Sequence, residues 1–368
     1  MLVSDTDLRR HGKGVDVINR SKRVRVVVAT PLAERHCQLI ERLEPRIDLI
    51  RDQSLYPPMR HPADFSGDPS FRRTPNQQQA FEEMVDSAEV LYGIPDVDSA
   101  ALKRTADANP KLRWVHTMAA GGGGQVKAAG LSGEQLGRIV FTTSAGVHGG
   151  PLAEFAVFGV MAGAKDLPRL LAQQRDRKWT GRWAMRQVSE MTVLVVGLGG
   201  IGREVARKLS GLGATIIGTS RHGRPTEYVN RLIRVEEISA TVPQVDAIVL
   251  TLPGTAATEK LIGADVFAAV KPGTILVNVG RGTVVDEDAL LPALRDDRIG
   301  FAALDVFATE PLSEDSPLWS EPNVLVSPHT AALNAAEDRL IAELFAANAT
   351  RFLDGQELMN RVDTVDFY

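Results

Sequence analysis

The feature that most constrains the fold of this chain is an apolar run that ends in a glycine pattern. Residues 193–196, Val-Leu-Val-Val, are typical of a buried strand and lead directly into Gly197-x-Gly199-x-x-Gly202. A stretch compatible with a helix follows at 203–212. Gly197 permits a tight turn, Gly199 allows a pyrophosphate to approach the backbone, and Gly202 allows the helix to pack closely on the strand. The pattern therefore predicts a strand, a turn and a helix in close contact.

The surroundings of this motif decide its interpretation, because an isolated glycine pattern also fits a purely structural turn. A second strand-like run at 215–219 completes the β-α-β unit that a dinucleotide site requires. The first turn of the helix would present free N–H groups and the positive end of the helix dipole to the phosphates. We therefore predict a dinucleotide site whose cofactor-binding residues include Gly197, Gly199, Gly200, Ile201 and Gly202.

Composition indicates an ordinary globular protein. The 368 residues are enough for about two domains, and 44% of them are hydrophobic. The net charge of −4 gives no electrostatic reason to expect nucleic acid or an anionic membrane as a partner. The single cysteine, Cys37, excludes an internal disulfide and a cysteine-based metal cluster, and we predict no metal site.

Two stretches bear on location. Residues 1–23 are polar and charged, which does not fit a signal peptide. The most apolar helical stretch, 155–164, is too short to cross a bilayer. Together with the single cysteine, these observations favour a cytoplasmic protein.

The order of elements predicts an α/β fold with two doubly wound parallel-sheet domains, Rossmann- or flavodoxin-like, and a cleft between them. Strand-like runs lie at 24–30, 90–93, 112–117, 140–143, 192–196, 215–219, 247–252, 274–279, 300–304 and 323–327. We predict a substrate-binding domain formed by 1–147 and 333–368. The dinucleotide-binding domain, 148–332, is inserted between these two parts.

Two helical patterns would connect the domains. The first spans 151–174 and is expected to kink at Pro168, and the second is an amphipathic helix over 333–354. A proline-rich excursion at 56–77 contains Arg60, Arg72 and Arg73. This excursion is interpreted either as a lid over the cleft or as an irregular surface loop.

Three polar residues follow predicted strands of the second domain. They are Arg281, Glu310 and His329. Because ligands of open α/β sheets bind beyond the carboxyl ends of strands, the three loops should converge near the dinucleotide. An arginine binds a carboxylate through its planar fork, a histidine exchanges a proton with an oxygen, and a carboxylate orients the imidazole and favours its charged form. Each residue alone also fits a structural role, but their joint order favours hydride chemistry on an anionic carbonyl compound.

At this point the chain resembles the D-isomer-specific 2-hydroxyacid dehydrogenase family, which includes glyoxylate/hydroxypyruvate reductases and phosphoglycerate dehydrogenases. The resemblance covers about 110–345 and is carried by VLVVGLGGIGREVA, TLPGTAATEKLIG, VNVGRGTVVDEDALLPAL, ALDVFATEPL and SPHTAAL. It implies that Arg281, Glu310 and His329 are the catalytic residues. It also implies that Asp305 contacts the nicotinamide carboxamide.

The same resemblance implies further contacts. The cofactor cleft would be lined by Leu252, Pro253, Val279 and Gly280. The loop 118–123 resembles the family's cradle for the substrate carboxylate, with Ala119, Ala120, Gly121 and Arg281 as substrate-binding residues. Its glycine run also fits a plain turn.

The end of the second Rossmann strand departs from the pattern of members that use NAD. An acidic residue is expected there to bind the ribose hydroxyls, whereas this chain has Ser220, followed by Arg221 and Arg224. An acid would repel a 2′-phosphate, and a serine with arginines would accept one. We therefore predict NADP(H) as the preferred cofactor and NAD(H) as the alternative, and the arginines otherwise belong to a basic surface loop.

The resulting hypothesis is an enzyme that moves a hydride between NAD(P)H and C2 of a small 2-keto or 2-hydroxy acid, in the reducing direction. The alternative is a non-enzymatic sensor or corepressor-like protein that binds NAD(P) on the same fold. The resemblance, with the apolar stretch 155–164 and nearby Trp179 and Trp183, predicts a homodimer through the coenzyme domain. The sequence names neither the acid nor the physiological direction.

Overall fold

Two parallel sheets form the framework of the chain. The computed structural model describes residues 23–220, 223, 225–365 and 367. The first sheet has five strands in the order β2-β1-β3-β4-β5, and the second has seven in the order β12-β11-β10-β9-β6-β7-β8. Every strand pair in both sheets is parallel. The predicted fold class, two parallel-sheet α/β domains, is confirmed.

The first sheet is built from short, buried apolar runs. Its strands are β1 (Val24–Val28), β2 (Ile47–Ile50), β3 (Val90–Tyr92), β4 (Trp114–His116) and β5 (Val140–Thr142). Its helices are α1 (Glu34–Leu43), α2 (Pro75–Asp86), α3 (Ser99–Ala108), α4 (Gly123–Ala128) and α5 (Gly133–Arg138). Strands buried on both faces need continuous apolar runs rather than alternation, which explains why the sequence signal of the inner strands is clear.

The second sheet follows the same principle. Its strands are β6 (Thr192–Val196), β7 (Thr215–Thr219), β8 (Arg231–Ile233), β9 (Ala247–Leu250), β10 (Thr274–Asn278), β11 (Ile299–Leu304) and β12 (Val324–Val326). Its helices are α6 (Gly149–Ala164), α7 (Leu167–Asp176), α8 (Gly200–Gly211), α9 (Ile238–Thr241), α10 (Ala264–Ala269) and α11 (Glu287–Arg295). Helices α6 and α8 cover one face, and α9 to α11 cover the other.

The last helix returns the chain to the first sheet. Helix α12 (Glu337–Leu353) packs against α1, and its Phe345 ring stacks on Trp114 of β4 at 4.8 Å. Residues after α12 continue into the same core through Leu358 and Val362. The C-terminal segment therefore packs with the first sheet, although the predicted domain limits themselves stay a prediction. Residues 1–22 lie outside the described part of the chain.

The structure differs from the predicted elements at three places. Strands β2 and β8 were not expected, and both lie at sheet edges, where charged residues interrupt the apolar pattern. The long helix predicted over 151–174 is two helices, and the break lies at Asp166, whose φ is +56°. Pro168 lies in the first turn of α7, where proline fits a helix, so the kink predicted at Pro168 was wrong.

The excursion at 56–77 has no strand or long helix before α2 begins, and side chains fasten it. Tyr56 donates a hydrogen bond to the Val28 carbonyl at 2.8 Å. Arg73 donates to Asp96 at 2.8 Å. These contacts attach both ends of the excursion to the first domain.

Among the described residues, no helix is long and apolar enough to cross a membrane.

Candidate active site

The turn after β6 has the geometry that a pyrophosphate needs. Gly197 has a φ of +102°, and its N–H donates to the Thr219 hydroxyl at 2.8 Å. A Cβ on Gly202 would lie 1.8 Å from the Gly197 carbonyl oxygen, so only glycine allows this contact. No atom lies within 4 Å of the position a Cβ would take on Gly199. The first N–H groups of α8, including those of Gly200 and Ile201, therefore face open space suited to phosphates.

The end of β7 lacks the acidic residue typical of NAD sites. The Ser220 amide donates to the Ile233 carbonyl at 3.0 Å, and its hydroxyl accepts from the Gly223 amide at 3.1 Å. Ser220 thus forms hydrogen bonds through both its amide and its hydroxyl. Arg221 and Arg224, which the NADP(H) prediction invokes, lie outside the described residues.

Asp305, directly after β11, has one carboxylate oxygen that is hydrogen-bonded and one that is not. The residue is fully buried, and its Oδ1 accepts from the Ser327 hydroxyl at 2.5 Å and from the amides of Thr330 and Ala331 at 2.9 and 3.0 Å. Its Oδ2 is buried without a hydrogen-bond partner among the described residues. Because buried polar atoms are normally paired, this oxygen fits the N–H of a nicotinamide carboxamide.

Glu310 and His329 are brought together as a pair. His329 Nδ1 lies 2.7 Å from Glu310 Oε2, and Glu310 Oε1 accepts from the Phe307 amide at 2.9 Å. The imidazole is about half exposed, 46%, and His329 has a φ of +53°. The carboxylate therefore fixes the ring through Nδ1 and leaves Nε2 as the nitrogen that can meet a ligand.

Arg281 follows β10 and is oriented by its own turn. The Asn278 side chain accepts from the Gly280 amide at 3.0 Å and donates to the Arg281 carbonyl at 3.1 Å. The Arg281 Nη1 donates to the Gly280 carbonyl at 2.8 Å. A Cβ on Gly121 would lie 3.2 Å from Arg281 Nη2. The guanidinium of the second domain thus reaches the predicted substrate loop of the first domain.

The predicted walls of the cofactor cleft are close neighbours. A Cβ on Gly280 would lie 2.5 Å from the Leu252 carbonyl oxygen, so the turn after Val279 touches the loop after β9. The Pro253 carbonyl of that loop accepts from the Thr258 hydroxyl at 2.7 Å. The structure therefore places these four predicted residues side by side.

The substrate loop begins after His116 and lies over a cavity of about 290 Å³. Met118, Ala119 and His329 all line this cavity, and Ala120 is exposed beside them. A Cβ on Gly122 would lie 1.9 Å from the Thr117 hydroxyl, so the loop needs glycine there. Gly123 starts α4, which means that the glycine run is a loop followed by a helical turn.

A buried histidine supports this loop from below. His116 Nδ1 lies 2.8 Å from the Thr142 hydroxyl. The Ser144 hydroxyl lies 3.2 Å from His116 Nε2 and donates a hydrogen bond to the Thr117 carbonyl at 3.1 Å. Complete burial lowers the pKa of His116 to about 3. His116 is therefore neutral and supports the loop as a hydrogen-bonding group.

Several residues at the site were not singled out from the sequence. Asn278 is buried, and its side chain holds the turn that carries Arg281. Its position at the end of β10 was the only feature of the sequence that could have indicated this role. Phe65, His148 and Glu337 line the cavity with His329. They come from three separate segments, so no spacing in the sequence relates them. No group of three or more His, Cys, Asp or Glu able to hold a metal occurs among the described residues.

The chain is similar in sequence and in fold to known proteins. A family model described as D-isomer specific 2-hydroxyacid dehydrogenase, NAD binding domain, matches residues 157–331. The chain is 32% identical over 248 residues to a glyoxylate/hydroxypyruvate reductase B of Klebsiella pneumoniae, covering 66% of this chain and 74% of that protein. It is 33% identical over 264 residues to a D-3-phosphoglycerate dehydrogenase of Mycobacterium tuberculosis, covering 69% of this chain and 49% of that protein.

A solved structure extends the likeness to both domains. A D-isomer specific 2-hydroxyacid dehydrogenase from Xanthobacter autotrophicus, in complex with NADPH and MES, is 27% identical with a TM-score of 0.74. The alignment covers 94% of this chain and 100% of that chain. Fold and site define an α/β protein with a dinucleotide-binding domain. The chain belongs to the D-isomer specific 2-hydroxyacid dehydrogenase family, although it spans about half the length of the phosphoglycerate dehydrogenases it matches.

Proposed function

We propose that this protein is an enzyme that reduces a small 2-keto acid to the D-2-hydroxy acid with a nicotinamide cofactor. The observation that carries the proposal is the 2.7 Å contact between Glu310 and His329, whose ring lines a cavity together with Ala119 of the predicted substrate loop. A protein that only binds a nucleotide does not need an oriented imidazole beside a second ligand pocket.

The residues divide the work of the reaction. Arg281 binds the substrate carboxylate through its fork, together with N–H groups of the loop at Ala119 to Gly121. The glycine turn would hold the pyrophosphate of the cofactor and Asp305 its carboxamide, and the bound cofactor would supply the hydride. As the C2–O π bond opens, protonated His329 delivers its Nε2 proton to the oxygen, and Glu310 stabilises the charged ring before the transfer.

A substrate panel tests the proposal. The purified chain is mixed with NADPH or NADH and with glyoxylate, hydroxypyruvate, pyruvate or longer 2-keto acids, and cofactor oxidation is followed. We expect turnover with at least one acid and a product of D configuration. Binding of NADPH without turnover of any 2-keto acid would contradict it and return the chain to the class of nucleotide sensors.

NADPH is proposed as the preferred cofactor. The support is Ser220 in place of an acid at the end of β7, the arginines Arg221 and Arg224 in the sequence that follows, and the NADPH in the Xanthobacter structure. A charge-assisted hydrogen bond contributes about 1.5–3 kcal/mol, so one arginine–phosphate contact gives roughly tenfold to a hundredfold preference. Arg221→Ala should raise KM for NADPH by that factor and leave KM for NADH nearly unchanged. Equal kcat/KM for both cofactors in the wild type would contradict the preference.

A homodimer through the coenzyme domain is also proposed. Apolar side chains remain exposed on α6, α7 and the segment that follows, among them Phe158, Leu171 and the fully exposed Trp179. Exposed apolar side chains grouped on one region are typical of an interaction surface. Sedimentation at micromolar concentration should give twice the chain mass, and a monomer would contradict the proposal.

A cytoplasmic location is the last part of the proposal. Its support is the single cysteine, Cys37, which is buried and has no second cysteine to pair with. Chains with no disulfide are typical of reducing compartments. Fractionation of cells with a chain-specific antibody tests it, and recovery outside the cytoplasm would contradict it.

A further inference from the structure

The cavity beside His329 has a chemistry that the proposed reaction does not specify. Its walls include Phe65, Ile94, Val97 and Leu333, which come from the first domain and from the connection into α12. Ile94 is buried, whereas Leu333 is 42% exposed, so an apolar side chain stands open at the rim. The volume, about 290 Å³, lies near the lower end of small-molecule sites, about 300–1,000 Å³. The cavity is therefore a small, largely apolar compartment.

The excursion at 56–77 provides one wall of this compartment, and its tip is fastened in place. Asp64 is buried and accepts from Arg60 Nε at 2.7 Å and from the Gly67 amide at 3.1 Å. The Arg60 hydrogen bond lowers the pKa of Asp64 to about 2, so the carboxylate stays charged. The Ala63 amide donates to Asp338 of α12 at 3.2 Å. Phe65 is thus held against the cavity by contacts on both sides of it.

The charges around the compartment are unfavourable for an anion. Glu337 is 3% exposed, and its Oε1 lies 2.8 Å from His148 Nε2. The second oxygen, Oε2, is buried without a partner among the described residues. The described lining contains no lysine or arginine, and its two acids are already paired, Asp64 with Arg60 and Glu337 with His148. A phosphate or second carboxylate in the cavity would therefore lose its hydration without gaining a free cation, because Arg281 is committed to the C1 carboxylate and His329 to the C2 oxygen.

We infer that the compartment selects 2-keto acids that carry an uncharged alkyl side chain, and that it discriminates against those carrying a phosphate or a second carboxylate. This inference rests on the proposed function, and it names the substrate class of that site. Each methylene buried against the apolar walls gains about 0.8 kcal/mol, which is about a fourfold gain in kcat/KM. Burying an anion without a partner costs several kcal/mol, which exceeds a hundredfold loss.

A homologous series gives the first test. The values of kcat/KM are compared for glyoxylate, pyruvate, 2-oxobutanoate, 2-oxopentanoate and 4-methyl-2-oxopentanoate, with 2-oxoglutarate and 3-phosphohydroxypyruvate as anionic probes. We expect about a fourfold rise per added methylene until the cavity is filled. The anionic probes should fall at least a hundredfold below the best alkyl acid.

Two substitutions test whether this cavity determines the choice of substrate. Phe65→Ala should lower the ratio of kcat/KM for 4-methyl-2-oxopentanoate to that for glyoxylate by about tenfold. Phe71→Ala is the matched control, because Phe71 lies on the same excursion with similar partial burial but does not line the cavity. The ratio should not change in this control.

A second, independent variant tests whether a cation added at the rim allows the enzyme to accept an anionic side chain. Leu333→Arg adds a cation at the rim without removing a buried side chain, and it should raise kcat/KM for 2-oxoglutarate about tenfold. Leu212→Arg is the control, because Leu212 has the same 42% exposure on the coenzyme domain after α8. This control should leave 2-oxoglutarate as poor a substrate as in the wild type.

The outcomes separate the inference from the proposed function. If glyoxylate or an anionic probe is the best substrate, or if neither Phe65→Ala nor Leu333→Arg alters selectivity beyond its control, the substrate class is wrong while the reductase assignment stands. If none of the 2-keto acids is reduced, the proposed function fails, and the inference fails with it.

Discussion

The carboxyl-terminal edges of the two sheets are built in different ways. At the edge of the second sheet, Asp305, Glu310 and Arg281 each lie in the loop directly after a strand, and local hydrogen bonds fix them. At the edge of the first sheet, the cavity is formed by side chains from separate segments, such as Phe65 and Met118. The first arrangement concentrates polar chemistry, and the second provides shape and an apolar surface. The polar groups and the apolar walls of the cavity thus come mainly from different edges.

Two histidines show the same contrast at the level of single residues. His116 ends β4 and is enclosed by Thr142 and Ser144, and burial lowers its pKa to about 3. His329 follows β12, is about half exposed, and is paired with Glu310. Positions near the carboxyl ends of parallel strands therefore give one neutral structural histidine and one beside a carboxylate. The environment of each ring, rather than the residue type, determines its role.

The largest loss of kcat/KM should come from replacing Arg281 at the edge of the second sheet. Arg281→Ala removes a bidentate contact to the carboxylate, worth about 3–6 kcal/mol, so kcat/KM should fall by about 10²–10⁴-fold, towards the upper value. Arg281→Lys should lose most of kcat/KM because a lysine cannot form the planar fork. Steady-state kinetics with the best 2-keto acid checks this. A lysine variant with unchanged kcat/KM would refute the role.

His329→Ala should follow closely. General acid–base catalysis contributes about 10²–10⁴-fold, so kcat should fall by roughly 10³-fold while NADPH still binds. Fluorescence titration of NADPH alongside the kinetics separates the two effects. The control is His61→Ala, because His61 is exposed and lies outside the cavity lining. Retention of kcat within a few-fold would show that another group supplies the proton.

Glu310→Gln, at the same edge of the second sheet, should lower kcat by a smaller factor. The amide keeps the shape and accepts from the Phe307 amide, but the charge that stabilises the protonated imidazole is lost. A hydrogen bond to a charged partner is worth about 1.5–3 kcal/mol, so kcat should fall roughly tenfold to a hundredfold. KM for NADPH should not move. A variant as active as the wild type would mean that Glu310 is not the partner of His329.

The smallest effect concerns His116 and appears in stability rather than in catalysis. The pKa is about 6.5 in the unfolded chain and about 3 in the folded one, so between these values only the unfolded state takes up the proton. Stability should therefore fall as pH drops below about 6.5 and be unaffected by this group above it. From pH 7 to 5.5, the wild type should lose about 1 kcal/mol more of its unfolding free energy than His116→Gln does. Equal losses in denaturant titrations would contradict this account.

The fold was largely predictable because its signals are local. The glycine turn occupies six consecutive residues between a buried strand and a helix, so Gly197 to Gly202 could be interpreted without tertiary information. Strands β2 and β8 were missed because edge strands carry exposed and charged residues, Asp48 and Arg231 among them. The break at Asp166 was misplaced because a left-handed residue leaves no composition signal, whereas Pro168 does.

The candidate site was predictable only in part. Arg281, Glu310 and His329 each follow a strand of one parallel sheet, so topology alone implies that they lie near each other, and their catalytic roles stay predictions. The pair formed by His148 and Glu337 joins residues 189 positions apart in sequence, and no motif relates them. From the sequence, residues 56–77 were interpreted as a lid or a surface loop, and only the arginines of this segment were singled out. In the structure Phe65 lines the cavity, while Arg60 and Arg73 hold the excursion in place.

Isotope transfer tests the central claim most directly. NADPH carrying deuterium at C4 of the nicotinamide ring, prepared as each of its two epimers, is incubated with the enzyme and 4-methyl-2-oxopentanoate or, if that acid is a poor substrate, the best 2-keto acid of the panel. The product is analysed by mass spectrometry and chiral chromatography. The account predicts that one epimer alone transfers its deuterium to C2 of a D-2-hydroxy acid, and that His329→Ala forms this product far more slowly. Oxidation of NADPH with no deuterium at C2 from either epimer, or an L-configured product, would contradict it.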